Sequence, residues 1–441
     1  MIHSLASQLR GGRTILAVAS RPRVGCSVRQ GARCFARSVA DHPAKLGSWS
    51  LVPGAFFSTS MRVKRRPERS YRRAAPVAVL LFARLLSAQQ DSASDRAASY
   101  PSFKVAARLH FQGYYFDNKD YAAASLGNPG PQSSFFTRRA RIEVVGKLSE
   151  HVSFIVQPSF ENGGGREPNL RLRDAYIDLE LGRAWPLSEL RLRFGQEKRP
   201  FGRYELLSAN NLPSIERGAG RGLLAQGSNN IFERAGFLSH DVGVSVSGNL
   251  GKVATVQLGS YNGAGESFID NNNAKSVGLR VASAVGSELK LGASYFSHDG
   301  ILGASQTGTG APDSSFRNHA FSLDASWGKP GGAGFFAVAD YMRGEAFTNG
   351  KPAMSGLSLV TAYHFRLATV HSRLYALEPA FRFDTADPDA DTNGDASTLV
   401  TAVLGLYMTS TTQFRIAYER QDFEGNGPAV AGVRTAMTVN F

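Results

Sequence analysis

From Phe103 to Phe441 apolar residues return at every second position, segment after segment. In the first segment Phe103, Val105, Ala107, Leu109 and Phe111 alternate with Ser102, Lys104, Ala106, Arg108, His110 and Gln112. Successive strand side chains point to opposite faces, so this period makes one face apolar and the other polar. Comparable segments lie near 103–115, 135–146, 151–160, 170–182, 188–196, 240–248, 252–261, 274–284, 289–298, 317–327, 333–343, 355–367, 371–384, 397–409, 412–423 and 431–441. Most are close to the roughly 10 residues that cross a bilayer at a tilt, and an even number of them can close into an up-and-down barrel.

The connections alternate in length. Lys147-Leu-Ser-Glu150, Asn249-Leu-Gly251, Val285-Gly-Ser-Glu288, Gly328-Lys-Pro-Gly-Gly332 and Ser410-Thr411 are short. Those at 116–134, 161–169, 197–239, 262–273, 299–316, 344–354, 385–396 and 424–430 are longer and rich in Gly, Asn, Asp, Ser and Pro. Short turns on one side and long loops on the other are the outer-membrane pattern. A soluble sandwich shows the same local alternation but has no reason to keep the two kinds of connection in register. No run of about 20 apolar residues exists, which argues against a transmembrane helix. The expected fold is all-β: a transmembrane antiparallel β-barrel of about 16 strands with a long third extracellular loop, filling residues 103–441.

The net charge of +14 suggests a nucleic-acid partner until its distribution is considered. Residues 1–88 hold 16 Lys+Arg and 2 Asp+Glu, which leaves 34 of each from the chain's 50 and 36. The part after residue 88 is formally neutral, so the basic excess says nothing about what the folded region binds, and no nucleic acid is expected. Both cysteines, Cys26 and Cys34, also lie in the N-terminal stretch. Neither a disulfide framework nor a cysteine metal site is available to the barrel.

The apolar run Val77–Leu86, broken by Arg84, follows the basic segment Met61-Arg-Val-Lys-Arg-Arg-Pro-Glu-Arg-Ser-Tyr-Arg-Arg73 and precedes Ser87-Ala88. That order reads as a signal peptide over 61–88, cleaved after Ala88, with a short buried helix as the competing reading. Residues 89–102 then form a short periplasmic segment. Residues 1–60 read as an extension from a mis-assigned start, or as a transit peptide, since they are Arg- and Ser-rich and acid-poor. The expected location is the bacterial outer membrane.

At the C-terminus Val433, Thr435, Met437, Val439 and Phe441 alternate with Arg434, Ala436, Thr438 and Asn440. A last strand must pair with the first to remove both edges. The terminal aromatic resembles the signal read by the outer-membrane assembly machinery, which makes that machinery an expected partner alongside membrane lipid.

Three segments resemble the phosphate-selective porin O and P family: Phe136-Thr-Arg-Arg-Ala-Arg-Ile-Glu-Val-Val-Gly-Lys-Leu148, Leu172-Arg-Asp-Ala-Tyr-Ile-Asp-Leu179 and Leu192-Arg-Phe-Gly-Gln-Glu-Lys-Arg-Pro-Phe-Gly202. Ser214-Ile-Glu-Arg217 fits the family's third-loop region. The resemblance spans roughly residues 100–441 and is densest between 135 and 240. It implies a trimeric, 16-stranded outer-membrane channel that passes anions such as phosphate, although substrates vary within the family.

A barrel of this size has a wide lumen, and discriminating among small hydrophilic solutes requires something to narrow it. The loop at 197–239 is long enough to fold inward. It carries Lys198, Arg199, Arg203, Arg217, Arg221 and Arg234 against Glu197, Glu205, Glu216 and Glu233. The strands add Arg139 and Arg141 beside Glu143, and Arg191 and Arg193. Leu190, Leu192 and Phe194 should face lipid, where an arginine at the midplane costs on the order of 2–4 kcal/mol, so Arg191 and Arg193 should face inward. A ladder of guanidiniums can replace an anion's hydration shell stepwise. Equally, these arginines can pair with Glu143, Asp174, Asp178 and Glu197 and stiffen the wall. In the fourth segment Leu170 and Leu172 alternate one way and Ala175, Ile177 and Leu179 the other, which predicts a bulge near Arg173-Asp174.

Other motifs carry less. Asp389-Ala-Asp391-Thr-Asn393-Gly394-Asp395 resembles half of a calcium loop, but Val400 stands where the closing Glu belongs. An acidic surface loop competes with calcium binding there. Gly163-Gly-Gly165 precedes no helix, the histidines show no ligand spacing, and no catalytic set or cofactor site stands out. Tyr114, Tyr115, Phe160, Tyr261, Tyr295, Phe296, Tyr341, Tyr407 and Tyr418 lie near segment ends, as interfacial girdles would. The alternatives to an anion channel are a general diffusion porin, a barrel enzyme or adhesin, and a soluble secreted β-protein.

Overall fold

A computed structural model describes residues 100–117, 133–161, 169–217, 228–302, 315–367, 374–425 and 429–441. The expected N-terminal extension 1–60, the expected signal peptide 61–88 and residues 89–99 of the expected periplasmic segment lie outside the described residues. Among the described residues are 16 strands. The first eight are β1 (Ser102–Phe116), β2 (Ser133–Lys147), β3 (Val152–Glu161), β4 (Asn169–Ala184), β5 (Leu187–Lys198), β6 (His240–Leu250), β7 (Ala254–Tyr261) and β8 (Ser276–Val285). The remainder are β9 (Leu289–Gly300), β10 (Phe316–Trp327), β11 (Gly334–Glu345), β12 (Ala353–Arg366), β13 (Ala376–Asp387), β14 (Ser397–Tyr407), β15 (Thr412–Phe423) and β16 (Val430–Asn440).

Each strand pairs antiparallel with its sequence neighbours, and β16 closes the cylinder on β1. The closure reaches the last residue: Phe441 N donates to Ala107 O at 2.9 Å. Every edge is thereby paired, which a sheet in hydrocarbon requires. The strand bounds match the alternation to within a few residues, except at β13. The period suggested a start near residue 371, whereas the strand begins at Ala376, with 368–373 outside the described residues.

The alternation resolves into two surfaces. On β10 the even positions Ser322, Asp324 and Ser326 are buried inward, while Phe321, Leu323 and Trp327 are exposed on the outside. On β15 Gln413, Arg415, Glu419 and Gln421 point in, and Phe414, Ile416 and Tyr418 point out. Polar inside and apolar outside is the reverse of a soluble sandwich, and only a lipid solvent covers such an exterior. The aromatic girdle expected from segment ends is therefore only part of that set. Tyr115, Phe160, Tyr295, Tyr341 and Tyr418 are exposed outside, whereas Tyr261, Phe296 and Tyr407 are buried because their parity points them inward.

Two bulges re-aim charged side chains. On β4, Leu172 pairs with Pro158 and Ala175 with Val156, so Arg173 and Asp174 together oppose Gln157. This is the bulge that the phase conflict predicts, and it turns both residues inward. On β2, Arg139 pairs with His110 and Thr137 with Phe111, leaving Arg138 as the extra residue. Arg138 and Arg139 consequently reach the same interior carboxylate. Opposite the first bulge, Gly195 has φ +131°, and a Cβ there would stand 2.2 Å from the Ala175 carbonyl oxygen. Only glycine relieves that approach without moving backbone.

Candidate functional site

The connection between β5 and β6, the third loop on the long-loop side, folds into the cylinder. Its two ends are tied first. Arg199 forms a buried ion pair with Asp241 at 2.8 Å and donates to the carbonyls of Gly236 (2.7 Å) and Leu238 (3.0 Å). Beyond this knot, Phe201, Phe232 and Phe237 pack with Phe296, Tyr261 and Met342 of the wall. A single-turn helix α1 (Arg203–Leu206) follows. Its first amides have no intrahelical acceptor. Asp340 on β11 supplies one, accepting from Arg203 N at 3.1 Å and Tyr204 N at 2.7 Å.

The loop then crosses to the far wall. Tyr204, Leu207, Ala209 and Leu212 pack on Phe336, Val338 and Val360, and Ile215 packs on Val403, Ala417 and Ala436. Arg415 on β15 donates to Leu212 O (2.6 Å) and Ser214 O (3.3 Å), and Arg382 on β13 donates to Glu216 O (3.1 Å). Finally the Glu216 carboxylate returns to β1 and β2. It accepts from Gln112 (2.7 Å), Arg138 (3.0 Å) and Arg139 (2.9 Å). Burial pushes the Glu216 carboxyl up, but the Arg138 and Arg139 guanidiniums outweigh it and hold the group well below the usual carboxylate range. A second helix, α2 (Ser228–Arg234), leads back to β6.

A group with a depressed native pKa stabilises above its unfolded pKa and loses that contribution as pH falls through the native value. The Glu216 latch should hold from pH 7 to about 4.5 and yield only in stronger acid. Single-channel conductance should be flat over the first interval and rise below it; a rise near pH 6 would contradict the latch.

Between the loop and the wall of β1 to β7 remains a polar cavity of about 330 Å³. The loop contributes Leu206, Ser208, Ala209 and Arg217. The wall contributes Arg108, Arg141, Arg173, Arg193 and Lys198, with the carboxylates Glu143, Asp174 and Glu197. Six cationic side chains therefore line the space against three acidic ones, with Gln157, His240 and Gln257 between them. The cations are held rather than free. Arg108 pairs with Glu143 at 3.2 Å, Arg141 with Glu161, Arg173 with Glu266 at 2.8 Å, and Arg217 with Glu205 at 3.5 Å. Arg193 lies 2.7 Å from Asp178 and 2.8 Å from Glu197, and its guanidinium stacks 3.6 Å over the Tyr176 ring. Lys198 donates to the carbonyls of Glu205 and Leu207. Four compensating carboxylates, Glu161, Asp178, Glu205 and Glu266, do not line the cavity, so N–H donors predominate on its surface.

The candidates read from sequence separate into groups. Arg141, Arg193, Lys198 and Arg217 meet at the cavity. Arg139 and Arg199 anchor the loop, and Arg191 sits nearer the short-turn end, 3.8 Å from both Asp178 and Glu180. Arg203 lies on α1, Arg234 is exposed at the end of α2, and Arg221 lies outside the described residues. Arg108, Arg138, Arg382, Arg415 and Asp340 join the site without a sequence motif that marks them. Their inward parity was readable, but their landing partners on the loop were not. In the 388–396 loop Asp389 accepts from Asp391 N (3.1 Å) and Thr392 Oγ1 (3.0 Å), so its carboxylate closes a local turn. Among the described residues no group of three or more His, Cys, Asp or Glu is placed to share a metal ion.

Residues 107–312 match the family model described as phosphate-selective porin O and P. No curated protein matches the sequence. Among solved structures, an anion-selective porin from Comamonas acidovorans aligns with a TM-score of 0.52 at 12% identity, covering 77% of this chain and 100% of that one. The trimer form of OmpT, an outer membrane protein of Vibrio cholerae, gives 0.50 at 12%, covering 78% and 100%. The outer membrane channel DcaP of Acinetobacter baumannii gives 0.50 at 10%, covering 79% and 100%. At these identities the likeness shows a shared barrel.

Proposed function

We propose that this chain, which matches the porin O and P family model over residues 107–312 and shares its barrel with outer-membrane porins, passes small hydrophilic solutes with a preference for anions such as phosphate, selected at the cavity beside the third loop. The observation that carries this is the excess of cationic over acidic side chains there, six to three. Fixed N–H donors replace part of an anion's hydration shell, and neighbouring donors let the ion move on. The anion selectivity of the Comamonas acidovorans porin supports the same reading.

One observation favours a general diffusion porin instead. Each of the six cations has a carboxylate within 4 Å, which weakens the field that an ion meets. The reversal potential in a potassium chloride gradient decides between them. A potential toward the chloride Nernst value, with added phosphate lowering chloride current, is the expected result. A potential at zero would support the general porin, and absence of conductance in planar bilayers would favour an enzyme or adhesin.

We propose further that the chain assembles as a homotrimer, since the Vibrio cholerae OmpT structure is a trimer form, and that residues 61–88 are removed on export. Phe441, 77% exposed at the end of the closing strand, suits recognition by the assembly machinery. Native mass spectrometry reads both subunit number and mature start; a monomer, or a chain beginning near Met1, would refute these proposals.

A further inference from the structure

The outer surface of β9 to β11 changes character toward the long-loop side. Over most of its height it is apolar and exposed, through Leu291 on β9, Leu323 on β10 and Phe335 on β11. An aromatic row then appears: Tyr295 and Tyr341 flank Phe321, whose ring lies 6.2 Å from that of Tyr341. At and beyond this row the outward positions turn charged, with Arg343, His319 and Arg317 beside Asp299 and Glu345 at the same parity. Arg343 pairs in register with Phe321, and His319 and Arg317 follow Phe321 at the same parity. Aromatic girdles mark the interface between hydrocarbon and headgroups. A lipid-facing arginine is nearly free of penalty only there, where headgroups can solvate it.

Arg343 is exposed and, among the described residues, has neither a hydrogen bond nor an ion pair. Arg317 is also exposed and, among the described residues, bonds only through its Nε, to Asp299 Oδ2 at 3.0 Å, which leaves the outer edge of the guanidinium with no partner among them. The His319 ring stacks 6.0 Å from Tyr295 and is held by Tyr295 Oη at Nδ1 (2.8 Å), which leaves Nε2 for another partner. Among the described residues two carboxylates lie close by, and each already accepts hydrogen bonds. Asp299 is buried and shared between Arg317 and Asn272, and Glu345 accepts from the His319 backbone at 3.2 Å. Arginine forks match phosphate oxygens bidentately, and the apolar face directly below suits acyl chains.

We propose that Arg317, His319 and Arg343 form an external site for the phosphorylated headgroup of an outer-leaflet glycolipid, with its acyl chains lying along Phe321, Leu323 and Tyr341. The site belongs to the outside wall and is independent of ion passage through the lumen. It rests on the membrane location alone.

The test uses the full-length purified protein in phosphatidylcholine vesicles doped with an acylated glucosamine disaccharide carrying two phosphates. Bound glycolipid per barrel is read by mass spectrometry. The double variant Arg317→Ala/Arg343→Ala should bind about tenfold more weakly, as loss of charge-assisted phosphate bonds requires. Arg420→Ala, an exposed outward residue on β15 paired with Asp422, should bind like the parent. The same glycolipid without phosphates should also bind weakly. Equal binding by the double variant or by the phosphate-free lipid overturns the proposal. Displacement by millimolar inorganic phosphate overturns it too, by making this a site for the free ion. If the double variant does not assemble, Arg343→Gln alone is measured in the same way, since Arg343 bonds to none of the described residues. The readout involves no current, so failure of the anion-channel reading would leave this result standing.

Discussion

Replacing Glu216 with alanine should open the pore. This carboxylate is where the third loop, after crossing the cylinder, is fastened back onto β1 and β2 through Gln112, Arg138 and Arg139. Its removal leaves Arg138 and Arg139 buried without their main counter-charge, and breaking one side of a buried pair costs about 3–5 kcal/mol. The closed cylinder is held by ladder hydrogen bonds around its full circumference, so the loss falls mainly on the loop. Single-channel conductance should rise and become noisy as the loop leaves the wall, while the barrel still migrates as a folded species. Glu216→Gln should sit between parent and Glu216→Ala, because the amide keeps one acceptor. Unchanged conductance in Glu216→Ala would mean that the loop does not set the narrowest point.

The second large effect is on ion preference. Arg108 and Arg193 both line the cavity, and between them they neutralise Glu143, Asp178 and Glu197. Converting both to alanine takes the lining from six cations against three acids to four against three, and uncovers those carboxylates. A unit charge near a surface at this range is worth on the order of 1 kcal/mol after screening. The chloride-to-potassium permeability ratio should therefore fall by about fivefold or more, and it should fall less as salt rises. Arg191→Ala serves as the comparison: Arg191 is 43% exposed, lies outside the cavity and should shift the ratio little. If the two replacements act equally, or if neither moves the reversal potential, the cavity is not where ions are sorted.

The barrel was readable because its code is local. Alternation needs only neighbouring residues, and each of the 16 strands carries it within its own length. The β4 bulge was readable for the same reason, as a phase conflict between Leu172 and Ala175. The β2 bulge at Arg138 carries the same signal, since Phe135 and Thr137 run out of phase with Ala140 and Ile142. The inward path of the third loop was suggested by its length alone. Its anchors could not be read, because Arg415 meets Leu212 across 203 positions and Arg382 meets Glu216 across 166. No periodicity links residues so far apart. The apolar inner patch on β11, β12 and β14 to β16 was also hidden: Phe336, Val338, Val360, Val403, Ala417 and Ala436 interrupt a lumen that parity alone marks as wet.

The attachment of the third loop to Arg382 and Arg415 bears on the order in which the molecule becomes selective. Both arginines belong to the final quarter of the chain, on β13 and β15, whereas the segment they hold is synthesised long before them. The sieve therefore cannot set as the polypeptide emerges. It is completed only when the late hairpins arrive, so the ion sorting proposed for it belongs to the finished cylinder and to no shorter intermediate.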